Sequence, residues 1–427
     1  IIPHYLKYLY LPSDKSPYEN IYSLKKGHFI KINLKSIKLE EYNSYVEKKE
    51  NLKPVSLETL KENLISSVGN QLEADVDVGL WLSGGIDSSL IAAIARKEFN
   101  TKLNTFTVKF SKELSYNNEY KVAENVAKIF DHSITHLNVD YNIDENLIDN
   151  VIGKQENLIA SPAAILHELL CKETSSHSAK VILNGIGGDE LFGGYNRYKA
   201  FSFYSSLKKL KKIEKYLLFF LNKINKSRNN QIGNLNRAFL KLLDSYDEDK
   251  TIFYDNLISY NNDIIIRKFN NISLSDDPYN ELMKFDIDNW MLNDALFLSD
   301  KFSMSHSFEL RSPFLNKNLF NNAFSIKSSL RMGKPGNKQT LFNWLHDYSD
   351  GKYKKQRKKG FALPIEPYLK SISKKEMLNL FKKTELFDLI DEEYLISNLN
   401  DFYNGFDNTN TIYSLYYLSK WRIINNE

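Results

Sequence analysis

Cysteine is almost absent from the sequence: Cys171 is the only one in 427 residues, so no internal disulfide can brace the chain. Glycine and proline are also sparse, at 17 and 10, which excludes a collagen-like or Gly/Pro-rich disordered polymer. Long apolar runs are missing too. YLLFFL at 216–221 falls far short of the roughly 20 residues that span a bilayer, so no membrane partner is expected. The charges nearly cancel, 57 basic against 53 acidic with a formal net of +4, and so large a balance gives no argument for a nucleic-acid partner. Neither GKS nor GKT occurs, nor GxGxxG, which removes the Walker loop and the dinucleotide fingerprint. The chain starts at Ile1 without a signal-peptide pattern, so it is expected to begin inside a longer, cytoplasmic gene product.

What remains is an ordinary globular composition, 42% hydrophobic and 26% charged, long enough for two or three domains. Residues 1–50 carry short alternating runs such as HFIKINL, broken by SDKSP and KKG, and read as strands and turns at the edge of a β domain. From Val55 the apolar spacing at 57, 60, 64, 65 and 68 is that of an amphipathic helix, and a second domain, 55–427, is expected to start there. It continues as strand (76–82), glycine loop, helix, strand (LNTFTVKF) and helix (EYKVAENVAKIF). That alternation implies right-handed βαβ units and a doubly wound parallel α/β sheet. After Tyr195 the patterns are helical with basic faces, a helical insertion being expected at about 200–285, and no period repeats.

LWLSGGIDSS at 80–89 runs from a buried strand straight into a glycine turn and a helix. Ser83, Gly84 and Gly85 would present backbone N–H groups above the next helix, whose N-terminus adds roughly half a positive charge. A phosphate or pyrophosphate suits that place, with the Ser83 and Ser88 hydroxyls as further donors. Asp87 would repel it unless a divalent cation lay between, which implies Mg²⁺. The bland reading is a turn with a capping Asp or Ser. KVILNGIGGDELFGGY at 180–195 repeats the design with Asp189 and Glu190. At the carboxyl ends of parallel strands Asp87 and Asp189 could face one metal-bound polyphosphate.

SGGIDSS resembles the pyrophosphate loop of the ATP pyrophosphatase superfamily. GIGGDELFGGY, FSMSHSFELRSPFLN and KKGFALP are similar, in order and spacing, to later motifs of the glutamine-hydrolysing asparagine synthetases. YLPSDKSPYENIYSLKKGHFI resembles the tail of that family's N-terminal glutaminase domain. The resemblance implies an enzyme that adenylates aspartate or a related carboxylate with ATP and Mg²⁺, then aminates it with ammonia drawn from glutamine; a homodimer is allowed. It makes Ser83, Gly84, Gly85, Asp87 and Ser88 the pyrophosphate loop and Asp87 and Asp189 the Mg²⁺ ligands. It sets Leu82, Val108 and Gly185 along the nucleotide. Lys358 matches a lysine that stabilises charge on the activated carboxylate and leaving pyrophosphate, and Lys338 matches a further basic position. Glu309 and Arg311 match a family pair whose role reads as an internal salt bridge rather than chemistry.

The sequence departs from the asparagine synthetase pattern at several places. Ile186 stands where that family carries Glu, Asn316 where PFLD has Asp, and Leu298 where a basic residue is expected. QENLIASPAA at 155–164 only loosely resembles the acceptor-binding stretch. These weaken aspartate as acceptor more than ATP as activator. Cys171, inside the helical pattern ILHELLCKET, cannot be the glutaminase's N-terminal nucleophile. Two other readings stay open: a tRNA-modifying member of the superfamily, and a nucleotide-binding scaffold without catalysis.

Read blandly, YKKQRKK at 353–359 is a solvated basic face. Lys358→Ala is expected to lower pyrophosphate release about 10²-fold or more, as for other preorganised charge stabilisers. Lys354→Ala, Lys355→Ala and Lys359→Ala should each stay within a few-fold, since exposed charges contribute about 0–1 kcal/mol. A uniform, salt-sensitive loss over all four would defeat the assignment.

Overall fold

The structure is a computed structural model and describes residues 2–11, 15–24, 26–33, 36–41, 53–110, 119–140, 142–195, 198, 276–355, 363–405 and 408–425. Lys358 and Lys359, and residues 199–275 of the expected helical insertion, lie outside the described residues.

Five parallel strands form the central sheet in the order β5-β4-β3-β6-β7: β3 (Val78–Trp81), β4 (Asn104–Phe110), β5 (Ser133–Val139), β6 (Val181–Leu183) and β7 (Glu309–Arg311). The α/β class read from the sequence is therefore the class observed. β3 lies at the centre, and Gly79 lets its neighbours close in: a Cβ there would lie 2.7 Å from the Phe106 ring and 2.8 Å from Ile182 Cδ1. The chain builds outward from β3 through β4 to β5, then returns to β6 on the other side. This reversal leaves a crevice between the carboxyl ends of β3 and β6, the usual ligand position in such sheets.

Each face of the sheet buries its own core. One core gathers α2 (Leu57–Leu72), α3 (Ile86–Lys97), α4 (Glu119–Ile129) and later helices, with Leu60, Leu64, Leu90, Ile91, Ile94 and Val126 all inaccessible. In α2 the residues at 60, 64 and 68 are buried, as the spacing predicts, and Ser56 caps it by accepting from Thr59 N–H. The other core holds α5 (Glu145–Gly153), α6 (Ala163–Ser175) and the carboxyl-terminal helix at Thr409–Ile424. Cys171 lies in α6, fully buried, and burial reinforced by the Glu168 carboxylate raises its thiol far above the ordinary range. It is a core side chain, not a nucleophile. Among the described residues no helix is long and apolar enough to cross a membrane.

The amino-terminal stretch is only partly as the sequence suggests. HFIKIN forms β1 (His28–Asn33), antiparallel to β2 (Ser36–Glu41). Residues Ile2–Tyr8, expected among strands and turns, form a helix instead, α1. Its conformation answers to a distant partner: the buried Tyr5 hydroxyl donates to the Ser414 carbonyl at 2.8 Å. No local window could have supplied that contact.

After the glycine turn that follows β6 come α7 (Gly188–Phe192) and then, beyond the undescribed stretch, α8 (Pro278–Asp286), a wide π-helical stretch over Ile287–Ala295, and α9 (Leu296–Ser305) leading into β7. α10 (Lys317–Ser325), α11 (Ser328–Met332) and α12 (Gln339–Tyr348) follow β7. Leu298 of α9 is completely buried in the second core. A basic side chain there would be a buried unpaired charge. Asn316 caps α10, its Oδ1 accepting from Asn318 N–H at 2.9 Å and Leu319 N–H at 3.3 Å, which is work an Asp would do equally well.

The Glu309 and Arg311 side chains do pair, at 3.0 and 3.2 Å. Arg311 also donates to the carbonyls of Gln71 at 3.0 Å and Glu73 at 2.8 Å, closing the carboxyl end of α2 onto the sheet. Because two otherwise open carbonyls depend on the guanidinium, Arg311→Ala should lower unfolding free energy by about 1–2 kcal/mol. Glu309 is half exposed, so Glu309→Gln should change it by less than about 1 kcal/mol. Denaturant midpoints of the two variants check the contrast; equal losses would mean that the ion pair, not the helix closure, matters.

Candidate active site

Two glycine turns meet at the crevice. The first leaves β3 through Leu82, which is buried and donates its N–H to the Phe106 carbonyl at 2.8 Å. Gly84 then takes φ +75°, a conformation L side chains avoid, and a Cβ there would come within 2.8 Å of Ala123 N and Val122 Cβ on α4. Gly85 precedes the first turn of α3, and no side chain caps that helix. The turn is held from inside: Ser83 Oγ accepts from Gly85 N–H at 3.2 Å and lies 3.2 Å from Ser88 Oγ, which also receives Ser83 N–H at 3.3 Å. Backbone N–H groups at the uncapped start of α3 and two hydroxyls thus converge where Asp87 projects.

The second turn leaves β6 through Asn184, Gly185, Ile186 and Gly187, the last at φ +97°. Asn184 is nearly inaccessible, and its Oδ1 receives Ile186 N–H at 3.0 Å and the Ser312 hydroxyl at 2.8 Å. The Asn184 side-chain nitrogen is buried without a partner among the described residues. The two turns touch through glycine. A Cβ on Gly185 would lie 2.8 Å from Asp87 Cβ, and one on Gly188 would lie 2.5 Å from Asp87 Oδ1. Asp87 is seated against the second turn, and Asp189 opens α7 immediately beyond it.

Lys338 joins the two acids. Its Nζ binds Asp87 Oδ2 and lies 2.7 Å from Asp189 Oδ1, while only 6% of its side chain is accessible, against 19% and 15% for the aspartates. Burial is the largest single influence on this ammonium and opposes its charge, but Asp189 and Asp87 together outweigh burial and hold it protonated above the usual lysine range. Gly194 makes room for the bridge: a Cβ there would fall 1.8 Å from Asp189 Oδ1 and 2.1 Å from Lys338 Cε.

Two further residues complete the surroundings, and neither was evident from the sequence. Tyr353 is buried and donates its hydroxyl to the Gly84 carbonyl at 3.0 Å, 269 positions away, which pins the start of YKKQRKK to the first turn. Lys355 Nζ donates to the Asn337 carbonyl at 2.6 Å and lies over the Phe342 ring, so this lysine is engaged as well as exposed. Lys358 itself lies outside the described residues. Val108, on β4 opposite Leu137 of β5, is two residues beyond the Phe106 that meets Leu82. The sequence-derived set therefore assembles around one crevice: Leu82, Ser83, Gly84, Gly85, Asp87, Ser88, Gly185, Asp189 and Lys338, with Val108 on the flanking strand.

The family model for asparagine synthase matches residues 59–421, and the chain belongs to that family. Asparagine synthetase [glutamine-hydrolyzing] 1 of Bacillus subtilis is 29% identical over 401 residues, covering 89% of this chain and 62% of that protein. A putative asparagine synthetase [glutamine-hydrolyzing] of Mycobacterium tuberculosis is 25% identical over 392 residues, covering 87% and 58%. The chain thus spans about three-fifths of the length of these relatives. An NH3-dependent NAD synthetase from Campylobacter jejuni overlays with a TM-score of 0.24 and 16% identity over 44% of this chain and 96% of that one.

Glu190, beside Asp189, is nearly inaccessible, with the Tyr195 hydroxyl donating to its Oε1. Burial, then the neighbouring Asp189 charge, raises its carboxyl from 4.5 to about 7. Asp294, at the end of the π-helical stretch and bonded to Ser161, is likewise raised by burial, to about 7. A carboxyl raised on folding favours the folded state fully below its unfolded value and loses that advantage as pH rises through the folded one. Stability should therefore fall between about pH 4.5 and about pH 7–8. Glu190→Gln should flatten part of that fall and Glu190→Gln/Asp294→Asn most of it, as read from denaturant midpoints at about pH 5 and about pH 8. An unchanged slope would show that neither carboxyl is protonated in the folded chain.

Proposed function

We propose that this chain carries the ATP-using, amide-forming half of an asparagine-synthetase-type ligase, acting on a small carboxylate, aspartate or a related acid, with ammonia as the nitrogen donor and glutamine as its source in the full enzyme. The observation that carries the reading is the pairing of Asp87 and Asp189 on two glycine turns at the reversal point of a parallel sheet in a chain of this family.

The donor set fits a nucleotide-bound magnesium ion. Among the described residues no group of three or more His, Cys, Asp or Glu could hold a metal alone. Mg²⁺ needs no such cage, since it is usually held by one or two carboxylates together with phosphate oxygens and water. Asp87 and Asp189 would supply the carboxylates. When bound, the ion offsets charge on the polyphosphate.

The residues then divide the work. N–H groups of the Gly84–Gly85 turn and the start of α3, with the Ser83 and Ser88 hydroxyls, would receive the pyrophosphate portion of ATP. Leu82, Gly185 and the Val108 backbone would line the nucleotide. An acceptor carboxylate oxygen attacks the α-phosphorus as the bond to pyrophosphate breaks. Lys338 and Lys358 would meet the negative charge that develops on the leaving group. Ammonia then displaces AMP and gives the amide.

Screening carboxylates for acceptor-stimulated pyrophosphate release in ammonium buffer tests this reading. At least one acid should give stoichiometric AMP, pyrophosphate and amide. Asp87→Asn and Asp189→Asn should each abolish Mg²⁺-dependent turnover while keeping a cooperative melting transition. Retention of most activity by either variant would mean that the metal is misassigned.

A further inference from the structure

We infer that Lys338 is a tethered counter-ion that occupies the divalent-cation position between Asp87 and Asp189 when nucleotide is absent, so that metal and polyphosphate must enter together. This inference rests on the ligase reading above and concerns the chain's own residues.

Two carboxylates set on adjacent turns repel one another, and low accessibility leaves little water to screen them. Lys338 resolves that conflict by bonding to both while itself buried. Its position looks built rather than incidental. Lys338 sits at φ +49° just ahead of α12, a left-handed conformation that a non-glycine residue adopts at a cost of roughly 1 kcal/mol. Gly194 leaves the space that the bridge fills, and the Gly336 N–H donates to the Gly193 carbonyl at 2.8 Å, binding the lysine's own loop to the carboxyl end of α7.

The ammonium and a magnesium ion would compete for the same carboxylate oxygens. A metal ion arriving alone must displace a cation that the chain supplies at no loss of translational freedom. A metal ion arriving with polyphosphate brings the ammonium a new anionic partner. The Lys338 ammonium ends a flexible four-carbon stem, so it can turn to that partner while its loop, with Gly333 at φ +67° and Gly336 at φ +74°, keeps its place. The consequence is ordered binding: free divalent metal is excluded, and the metal–nucleotide complex is accepted.

Mn²⁺ binding, followed through the paramagnetic resonance of the free ion, reads this without turnover. Without nucleotide the wild-type chain should bind Mn²⁺ weakly, and Lys338→Met should bind at least about tenfold more tightly, because a competing positive charge is gone. Asp87→Asn/Lys338→Met should lose that gain. Equal affinity of wild type and Lys338→Met for Mn²⁺ alone overturns the inference. Should Lys338→Met fail to fold, the wild-type melting temperature decides: it should be insensitive to Mn²⁺ alone and rise with Mn²⁺ plus a non-hydrolysable ATP analogue. A rise with Mn²⁺ alone that Asp87→Asn abolishes defeats it. Failure of wild type to bind Mn²⁺ even with the analogue overturns the ligase reading and this inference together.

Discussion

The buried contact of one ammonium with two carboxylates sets what the neighbouring backbone must be. Asp87 and Asp189 come from turns more than a hundred positions apart in sequence, and Lys338 comes from a third segment. For the three to meet, side chains must be absent at Gly185, Gly188 and Gly194, where a Cβ would strike Asp87, Asp189 or Lys338 itself. Glycine in this crevice therefore has a spatial reason beyond turn formation. Isolated burial of either acid would carry a desolvation penalty, and among the described residues Lys338 offsets part of it for both.

The sheet supplies the distance. Because β3 and β6 are neighbours whose connections run to opposite sides, their carboxyl ends open one crevice, and each contributes a glycine turn and a short acidic helix start. The elements beyond β6 then serve as clamps. Arg311 closes α2 onto β7, Ser312 supports Asn184 under the second turn, and Tyr353 reaches back to Gly84. Stability and site geometry are thus carried by the same long-range bonds, which fits a site placed at the edge of a rigid core.

Much of this was legible in the sequence because it is local. A strand of buried residues followed by SGGIDSS and a helix is readable within one window, and so is its repeat at GIGGDE. The parallel sheet followed from the alternation of such windows. What was not legible is what depends on contacts across the chain. α1 reads as a strand region until Tyr5 meets Ser414, and Tyr353 is unremarkable until its hydroxyl finds Gly84. Lys338 matched a family position, but its place between both aspartates is a three-body fact that no spacing encodes. The π-helical stretch over Ile287–Ala295 was equally invisible, since an extra residue in a helical turn leaves the apolar pattern almost unchanged.

The departures from the family pattern separate once each side chain is placed. Asn316 caps α10 through its Oδ1, the atom that an aspartate would present to the same N–H groups, so that exchange has little chemical meaning. Leu298 fills a closed part of the core where a charge would be stranded, so packing accounts for it. Ile186 has no such account. Its backbone N–H is used, by Asn184, but its side chain belongs to neither core and stands on the second turn, three residues before Asp189. A carboxylate at that place could accept a proton or a hydrogen bond from an acceptor's amine; an isoleucine can offer only apolar surface. Among the three departures it is therefore Ile186 that, on the proposed ligase reading, would bear on the acceptor, and there it weighs against one whose recognition needs an acid at that turn.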